Sequence, residues 1–283
     1  MAKKNIFDFA EMKQKGEKIA FLPVNDYPFA RLAEQAGLDM LLVGDSLGMT
    51  SYGLKGTMPV TMEQMLVHCQ AVRRGAPNAF IIGDMPFGSY QKSVPDAIEN
   101  ASRFFKEADV DAVKLEGGQR IVPQIRGIVD AGMPVMGHIG ITPQSVGLLG
   151  GFKAQGGTAE TALALLEDAK AVEEAGAFAM ALEGVPAEVG KVITENLRIP
   201  VLGSGSGPYC DGQSILASDL LGLFEEFTPK FVKKYANLAE EIRSAFTAYV
   251  SDVKDGRFPE PQHCYKMRPG EAEKLAEMRK KSS

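Results

Sequence analysis

The sequence predicts an α/β protein with the (β/α)8 TIM-barrel fold, organised as a single barrel domain over residues 1–283 with a short N-terminal helical segment and a C-terminal helix and tail. Short apolar runs alternate with longer amphipathic runs through about eight units, and several apolar runs end in a polar side chain. Strands that alternate with helices form a parallel sheet, because each helix returns the chain to the same end. An open doubly wound sheet is the alternative, and the even spacing of the units favours the barrel.

The first half of the chain contains regular strand and helix pairs. The strand IAFLPV precedes a helix that Asp26 can cap and Gly37 can end. The strand LDMLLVG precedes a helix that begins at Thr61, where the letters TMEQ form a capping box. NAFIIGD and DAVKLEG are the third and fourth strands, and an amphipathic helix follows each. The second strand is joined to its helix by SLGMTSYGLKGTMP, a length typical of functional loops.

The second half continues the alternation with one more long loop. Pro134 opens the fifth strand, PVMGHIG, and the connection ITPQSVGLLGGFKAQGG is too rich in glycine for a helix. AFAMALEG and IPVLGS are the sixth and seventh strands, with the helix AEVGKVITENL between them. A helix is expected from about Asp211 to Leu223. TPKFVKKYANL is the candidate eighth strand, and residues 239–254 are expected to form the last helix.

Composition restricts the class of protein. With 45% hydrophobic and 24% charged residues, the chain has the composition of a globular protein with a sizeable core. No apolar run is long enough to span a bilayer and the N-terminus lacks the apolar region of a signal peptide, so we expect a cytoplasmic protein with no membrane partner. The net charge of -5 argues against nucleic acid as the main partner. Cys69, Cys210 and Cys264 show no metal-ligand spacing and are expected to be free thiols.

Polar side chains stand at the C-terminal ends of predicted strands two to six: Asp45, Asp84, Glu116, His138 and Glu183. In a barrel these ends converge on one mouth, where active sites lie. Any single acid could instead be a helix N-cap or an Asx-turn former, and His138 could be a hydrogen-bonded core residue. Acids at equivalent positions of several strands favour a shared site.

Lys114 and Glu116 lie two residues apart on the fourth strand, so their side chains share one face, which points inward in a barrel. A buried lysine and glutamate form an ion pair or take part in chemistry. Converging carboxylates without a Cys or His cluster favour a hard cation, above all Mg²⁺. The metal could act as a Lewis acid on a substrate oxygen while a remaining glutamate in a dry pocket accepts a proton. These residues indicate enolate chemistry on a keto acid.

The same region resembles a known family. The strings are MLLVGDSLGM, MPVT, HCQAVRRGAPNAFIIGDMPF, VKLEGG, PVMGHIGITPQSV, GGFKAQG and ALEGVP. Together they resemble ketopantoate hydroxymethyltransferase (3-methyl-2-oxobutanoate hydroxymethyltransferase) over residues 19–265. The resemblance implies a barrel of the phosphoenolpyruvate/pyruvate superfamily that uses Mg²⁺. It also implies transfer of the methylene carbon of 5,10-methylenetetrahydrofolate to 3-methyl-2-oxobutanoate, which gives 2-dehydropantoate (ketopantoate) in pantothenate and coenzyme A biosynthesis.

The resemblance also implies residue roles. Asp45 and Asp84 match the Mg²⁺ ligands, and Glu116 belongs to the surroundings of the metal, directly or through water. Ser46 and Lys114 match residues that hold the carboxylate and oxygen of the keto acid, and Asp84 borders the same substrate.

The remaining implied roles concern the proton, the pocket and assembly. Glu183 matches the general base that removes the C3 proton, and His138 matches a residue of the substrate pocket. The expected partners are the keto acid and the folate. The resemblance further implies a large homo-oligomer, often a decamer, with the last helix as an interface element.

The chain departs from the family pattern at Leu54, Lys55 and Gly56, in a loop that borders the site, and also at Ser204, Ser206 and Ser218. None of them is a predicted metal ligand, the lysine or the base. The glycine string that contains Ser204 and Ser206 could cradle a phosphate, but close backbone approach to the folate is the favoured interpretation. Two other functions stay open at this point. One is another Mg²⁺-dependent keto-acid enzyme of lyase or phosphonomutase type, and the other is a non-catalytic ligand-binding barrel.

Overall fold

The sheet of the protein is a closed barrel of strands in the order β1-β2-β3-β4-β5-β6-β7-β8, in which every neighbouring pair is parallel. The computed structural model describes residues 3–282. The chain divides into two compact units, Met1–Ala236 and Asn237–Ser283, and the first contains the barrel. The predicted (β/α)8 fold is confirmed. Within residues 3–282, no helix is long and apolar enough to cross a membrane.

The strands have the following bounds: β1 (Ile19–Pro23), β2 (Met40–Val43), β3 (Phe80–Asp84), β4 (Ala112–Glu116), β5 (Val135–Gly140), β6 (Ala179–Glu183), β7 (Val201–Ser204) and β8 (Gly212–Ser214). The helices are α1 (Ile6–Lys15), α2 (Tyr27–Ala36), α3 (Leu47–Thr50), α4 (Met62–Gly75), α5 (Val94–Ala108), α6 (Val122–Asp130), α7 (Val146–Leu149), α8 (Ala159–Glu174), α9 (Ala187–Asn196), α10 (Ala217–Leu220), α11 (Leu238–Lys254) and α12 (Glu271–Lys281). Short 3-10 turns lie at Gly118–Ile121, Pro143–Ser145 and Pro261–His263.

The helix ends follow the predicted chemistry. The Asp26 side chain accepts a hydrogen bond from the Phe29 backbone at the start of α2, and Gly37 ends that helix with a φ of 83°. Thr61 and Gln64 form the capping box of α4. These local bonds satisfy backbone groups that would otherwise be unpaired at the helix ends.

The N-terminal helix α1 closes the end of the barrel opposite the predicted site. Phe9 is fully buried and packs edge-on against Phe80 at the start of β3, with ring centroids 5.1 Å apart. Both belong to the apolar cluster that fills the barrel interior. Lys13 anchors the same helix, because its Nζ donates to Asp211 Oδ2 at 2.6 Å and to the Thr194 carbonyl at 3.0 Å. A larger apolar cluster lies between the strands and the surrounding helices.

The prediction for the last strand and helix of the barrel is wrong. The eighth strand is not TPKFVKKYANL but Gly212–Ser214, and the helix predicted from Asp211 to Leu223 is reduced to Ala217–Leu220. Backbone pairing with both neighbours specifies this strand, since Gly212 pairs with Ile19 and with Leu202. A Cβ at Gly212 would lie 2.4 Å from the Ile19 carbonyl oxygen, so the position requires glycine.

The second unit contains more helix than the sequence predicts. α11 confirms the helix predicted over residues 239–254, but it is not the last one, because α12 follows it. The last helix contains several lysines, glutamates and an arginine but few large apolar residues, so its sequence carries little of the amphipathic signal used to find the others.

Candidate active site

The polar residues predicted at the strand ends all lie at the C-terminal end of the barrel. Asp84, Glu116 and Glu183 are the last residues of β3, β4 and β6, while His138 lies within β5 and Asp45 follows β2. The register places them side by side in neighbouring strands: Asp84 with Lys114, Glu116 with His138, and Gly140 with Glu183. Parallel pairing therefore gathers residues that are far apart in the sequence.

The acids are not helix caps. The long helices α4, α5 and α8 are capped by the side chains of Thr61, Ser93 and Thr158. The N-cap positions of α6 and α9, which come after the acids of β4 and β6, are Ile121 and Pro186. Ser46 precedes α3, but its side chain makes no cap hydrogen bond there. The interpretation of these acids as helix N-caps is therefore wrong.

Asp84 contacts both Asp45 and Lys114. The Asp45 backbone N–H donates to Asp84 Oδ2 at 3.1 Å, and Asp84 Oδ1 forms an ion pair with Lys114 Nζ at 2.8 Å. The paired side chains are almost fully buried, 2% exposed for the aspartate and 6% for the lysine. The sequence left open whether Lys114 and Glu116 form an ion pair or take part in chemistry, and the ion pair of the lysine is with Asp84 on the neighbouring strand.

Burial and the excess of carboxylates shift the pKa values of the residues in this cluster. Burial and the neighbouring Asp84 charge raise the pKa of Asp45 well above its usual value. Burial also raises the pKa of Asp84, although Lys114 offsets part of this effect. Burial lowers the pKa of Lys114, but the charges of Asp84, Asp45 and Glu116 outweigh it and hold the net shift upward, so this ammonium stays protonated. A bound divalent cation would favour the ionised carboxylates.

His138 lies between two further carboxylates. Its Nδ1 is 3.4 Å from Glu116 Oε2, and its Nε2 is 3.5 Å from Glu183 Oε2. Burial and the Lys114 charge lower the pKa of His138, but the two carboxylates outweigh them and raise it to about 9. Both ring nitrogens of this buried histidine thus face carboxylates of the barrel mouth.

Glu183 is the most accessible of these acids, because its side chain is 30% exposed. This glutamate is therefore less enclosed than the dry pocket that the sequence analysis expects for a proton-accepting glutamate. Gly140 permits the close approach of β5 to this residue, since it has a φ of 95° and a Cβ there would lie 2.1 Å from the Glu183 carbonyl oxygen. The Ile141 backbone N–H donates to that same oxygen at 2.8 Å. The backbone of Glu183 is thus fixed while its carboxylate is partly exposed.

Gln144 is a buried polar residue that the sequence reasoning did not single out. Its Nε2 donates to Asp45 Oδ2 at 2.9 Å, and its backbone N–H donates to Glu116 Oε1 at 2.8 Å. Tyr90, also buried, donates its hydroxyl proton to Gln144 Oε1 at 2.7 Å. The only sign of this residue in the sequence is its position, directly after Pro143 in the long loop that follows the fifth strand.

Two of the serines at which the chain departs from the family pattern, Ser204 and Ser206, donate hydrogen bonds to the backbone. Ser204 Oγ donates to the Ser214 carbonyl at 3.1 Å, and Ser206 Oγ donates to the Leu182 carbonyl at 2.7 Å. Gly205 between them has a φ of 65° and packs against Phe231. These hydroxyls bind the backbone of neighbouring strands, which favours a structural role of the glycine string over a phosphate cradle.

The residues present suit Mg²⁺ better than a metal that requires many protein ligands. In the described part of the chain, no three His, Cys, Asp or Glu side chains are arranged as a metal-ligand cluster. Mg²⁺ is commonly held by one or two carboxylates, with water and substrate completing its shell. Asp45 and Asp84 are adjacent and buried, and the Asp84 carboxylate is bound through Oδ2 by the Asp45 backbone and through Oδ1 by Lys114 Nζ. The donor set therefore fits this cation.

The comparisons with known proteins agree with this geometry. Residues 3–261 match the model of a family described as ketopantoate hydroxymethyltransferase. The chain belongs to this family. A 3-methyl-2-oxobutanoate hydroxymethyltransferase of Alkaliphilus metalliredigens is 59% identical to it over 263 residues, 93% of each chain. The enzyme of that name from Heliobacterium modesticaldum is 52% identical over 91% of this chain and 93% of its own. Ketopantoate hydroxymethyltransferases are transferases, as predicted.

Solved structures of more distant proteins share the fold. A phosphonopyruvate hydrolase, determined in complex with oxalate and Mg²⁺, aligns with a TM-score of 0.59 and 14% identity over 100% of this chain and 98% of its own. A 2,3-dimethylmalate lyase, described as a member of the PEP mutase/isocitrate lyase superfamily, aligns with a TM-score of 0.58 and 17% identity over 98% and 94%. These likenesses show the barrel fold and do not assign chemistry.

Proposed function

We propose that this ketopantoate hydroxymethyltransferase family member transfers a hydroxymethyl group from 5,10-methylenetetrahydrofolate to 3-methyl-2-oxobutanoate and forms ketopantoate. The observation that carries the proposal is the buried cluster of Asp45, Asp84 and Lys114, with the accessible carboxylate of Glu183 near it across His138. Family membership supports the choice of reaction.

The proposed substrate site separates binding from proton transfer. Lys114 Nζ carries a positive charge at the inner end of the mouth, where it can hold the carboxylate or oxygen of a keto acid. Ser46 offers a hydroxyl that no helix cap uses. Asp84 borders the same substrate, and His138 forms part of the pocket wall. The keto acid is thus oriented by charged and polar groups on one side.

The proposed base is Glu183. Its carboxylate is partly exposed, so it can accept the C3 proton of a keto acid that enters from the mouth. His138 Nε2 lies 3.5 Å from Oε2 of this glutamate. C3 of the resulting enolate then forms a bond to the methylene carbon of the folate, and one N–CH2 bond breaks with its electron pair on nitrogen. Water supplies the hydroxyl oxygen as the second N–CH2 bond breaks, and tetrahydrofolate leaves with the protons.

Asp45 and Asp84 would hold Mg²⁺, with Glu116 in its surroundings, directly or through water. When bound, the cation would supply positive charge beside the keto oxygen, where negative charge develops as the C3 proton leaves. Asp45 and Asp84 supply negative charge, and the Lys114 ammonium balances only part of it.

The test combines product formation with a change at the base. Purified protein with Mg²⁺, 5,10-methylenetetrahydrofolate and 3-methyl-2-oxobutanoate should form ketopantoate, followed by mass spectrometry. Glu183→Gln keeps the shape and should reduce kcat by about a hundredfold or more, because it removes the proton acceptor. Absence of ketopantoate with the wild-type protein would exclude the proposal, and keto-acid cleavage without folate would favour a lyase instead. A binding protein would show no turnover for the variant to lose.

We also propose a homo-oligomer, with a decamer as the expected state. The support within the second unit is a row of exposed apolar side chains on α11: Phe246, Tyr249, Val250 and Val253. Such a row is typical of an interaction surface. Analytical ultracentrifugation should give the mass of an assembly, and a monomer at micromolar concentration would contradict the proposal.

A further inference from the structure

Resting on the proposed function, we propose that Gln144, held by Tyr90, is a positioning residue that fixes the orientation of Asp45 and Glu116 at the Mg²⁺ site. The proposal adds a residue to the site that neither touches the reacting atoms nor carries a charge. Gln144 is 3% exposed, and Tyr90 is fully buried.

The direction of the Gln144 amide is determined by its surroundings. One end of the side chain lies 2.9 Å from Asp45 Oδ2 and 2.9 Å from the Met85 carbonyl oxygen, and both of these atoms are acceptors. The end that faces them must therefore be the NH₂ group. The other end accepts from the Tyr90 hydroxyl at 2.7 Å and from Gln91 Nε2 at 3.1 Å, as an amide oxygen should. All partners agree on one orientation.

Tyr90 makes that orientation difficult to reverse. Its hydroxyl has one proton and lies closer to Gln144 Oε1, at 2.7 Å, than to the Glu116 carbonyl oxygen, at 3.1 Å. The Glu116 backbone N–H donates to the hydroxyl oxygen at 3.3 Å. The bonds thus run in one direction, from the Glu116 backbone through Tyr90 to Gln144 and from Gln144 to Asp45. An amide flip would place the Gln144 oxygen against the Asp45 carboxylate, and it would leave the Tyr90 hydroxyl only the more distant Glu116 carbonyl oxygen as an acceptor.

Gln144 touches both acidic residues by different atoms. Its side chain donates to Asp45, while its backbone N–H donates to Glu116 Oε1 at 2.8 Å. The backbone position is set by the 3-10 turn Pro143–Ser145, which follows β5. One residue therefore connects the ends of β2, β4 and β5, and the Met85 carbonyl adds the end of β3.

The chemistry of the amide suits a cation site. A neutral donor can fix the rotamer of Asp45 without neutralising its charge, whereas a lysine or arginine in the same place would compete with the cation. The bond occupies Oδ2 of Asp45 and leaves Oδ1 for a ligand. Groups that orient metal ligands in this way typically raise the metal affinity by about 10- to 100-fold.

The test measures cation affinity directly. Gln144→Met keeps the length of the side chain and removes its hydrogen bonds, and Tyr90→Phe removes only the hydroxyl. Mn²⁺ binding, followed by electron paramagnetic resonance in the presence of 3-methyl-2-oxobutanoate, should weaken about tenfold or more in Gln144→Met and less in Tyr90→Phe. The matched control is Gln70→Met on α4, which loses one exposed hydrogen bond to the Glu107 carbonyl and should bind Mn²⁺ as the wild type does.

The outcomes separate this inference from the proposed reaction. Weakened Mn²⁺ binding in Gln144→Met, with a thermal melting curve close to that of Gln70→Met, supports the positioning role even if no ketopantoate is formed. Wild-type Mn²⁺ affinity in a folded Gln144→Met overturns it even if ketopantoate is formed. If Gln144→Met does not fold, Tyr90→Phe decides by the same measurement. Failure of the wild-type protein to bind Mn²⁺ also overturns the inference.

Discussion

Lys114→Met should lower the free energy of unfolding, because it removes a positive charge that offsets the buried carboxylates at the barrel mouth. The lysine Nζ lies 2.8 Å from Asp84 Oδ1, and both side chains are almost fully buried. At that distance, with an effective dielectric constant of about 20, the Coulomb energy is about 6 kcal/mol. Breaking a buried pair by removing one partner typically costs about 3–5 kcal/mol. We therefore expect a loss of that size in the free energy of unfolding without divalent cations, measured by urea denaturation at mildly alkaline pH.

Mg²⁺ should restore part of the loss. The variant no longer has an ammonium that competes for Asp84, so saturating Mg²⁺ should stabilise it by about 1–3 kcal/mol more than it stabilises the wild type. Lys170→Met is the matched control, because its 3.0 Å pair with Glu167 is exposed and worth at most about 0.5 kcal/mol. If Lys114→Met lost no more stability than this control, the reasoning about the buried charges would be refuted.

Two further changes test other parts of the molecule. Asp84→Asn should raise the Mg²⁺ concentration for half-maximal activity by about tenfold or more, because one of two proposed ligands becomes neutral; an unaltered Mg²⁺ titration would contradict its role as a ligand. Phe9→Ala should lower the free energy of unfolding by about 3–5 kcal/mol, because the ring is fully buried in the barrel against Phe80. The Michaelis constant for the keto acid should stay the same in that variant, and a large change would indicate that α1 influences the mouth.

The barrel was predictable because its signal is repeated. Each of the first seven strands is a short apolar run followed by a turn former, and a parallel sheet requires such runs when both faces are covered. β8 has no such run. Gly212 is selected by close approach to β1, so the strand is recognisable only from its pairing partners.

The acids of the candidate site were predictable from the sequence, but their partners were not. Acids at strand ends can be found in a sequence, since each follows directly from an apolar run. The partners of those acids could not be found in this way, because the loop that contains Gln144 has no periodicity and its contacts join four strand ends. The pairing of Lys114 with Asp84 rather than Glu116 likewise depends on the register between β3 and β4.

The charges at the mouth connect stability with function. Asp45, Asp84 and Glu116 are buried beside a single ammonium, and the same burial raises the pKa of Asp45 and Asp84. Gln144 adds hydrogen bonds without adding positive charge. The protein therefore holds carboxylates in a fixed arrangement whose repulsion a divalent cation would relieve. Because the repulsion disfavours the folded protein and favours the cation, Lys114→Met, which increases the repulsion, should lose stability without a cation and gain more from Mg²⁺ than the wild type gains.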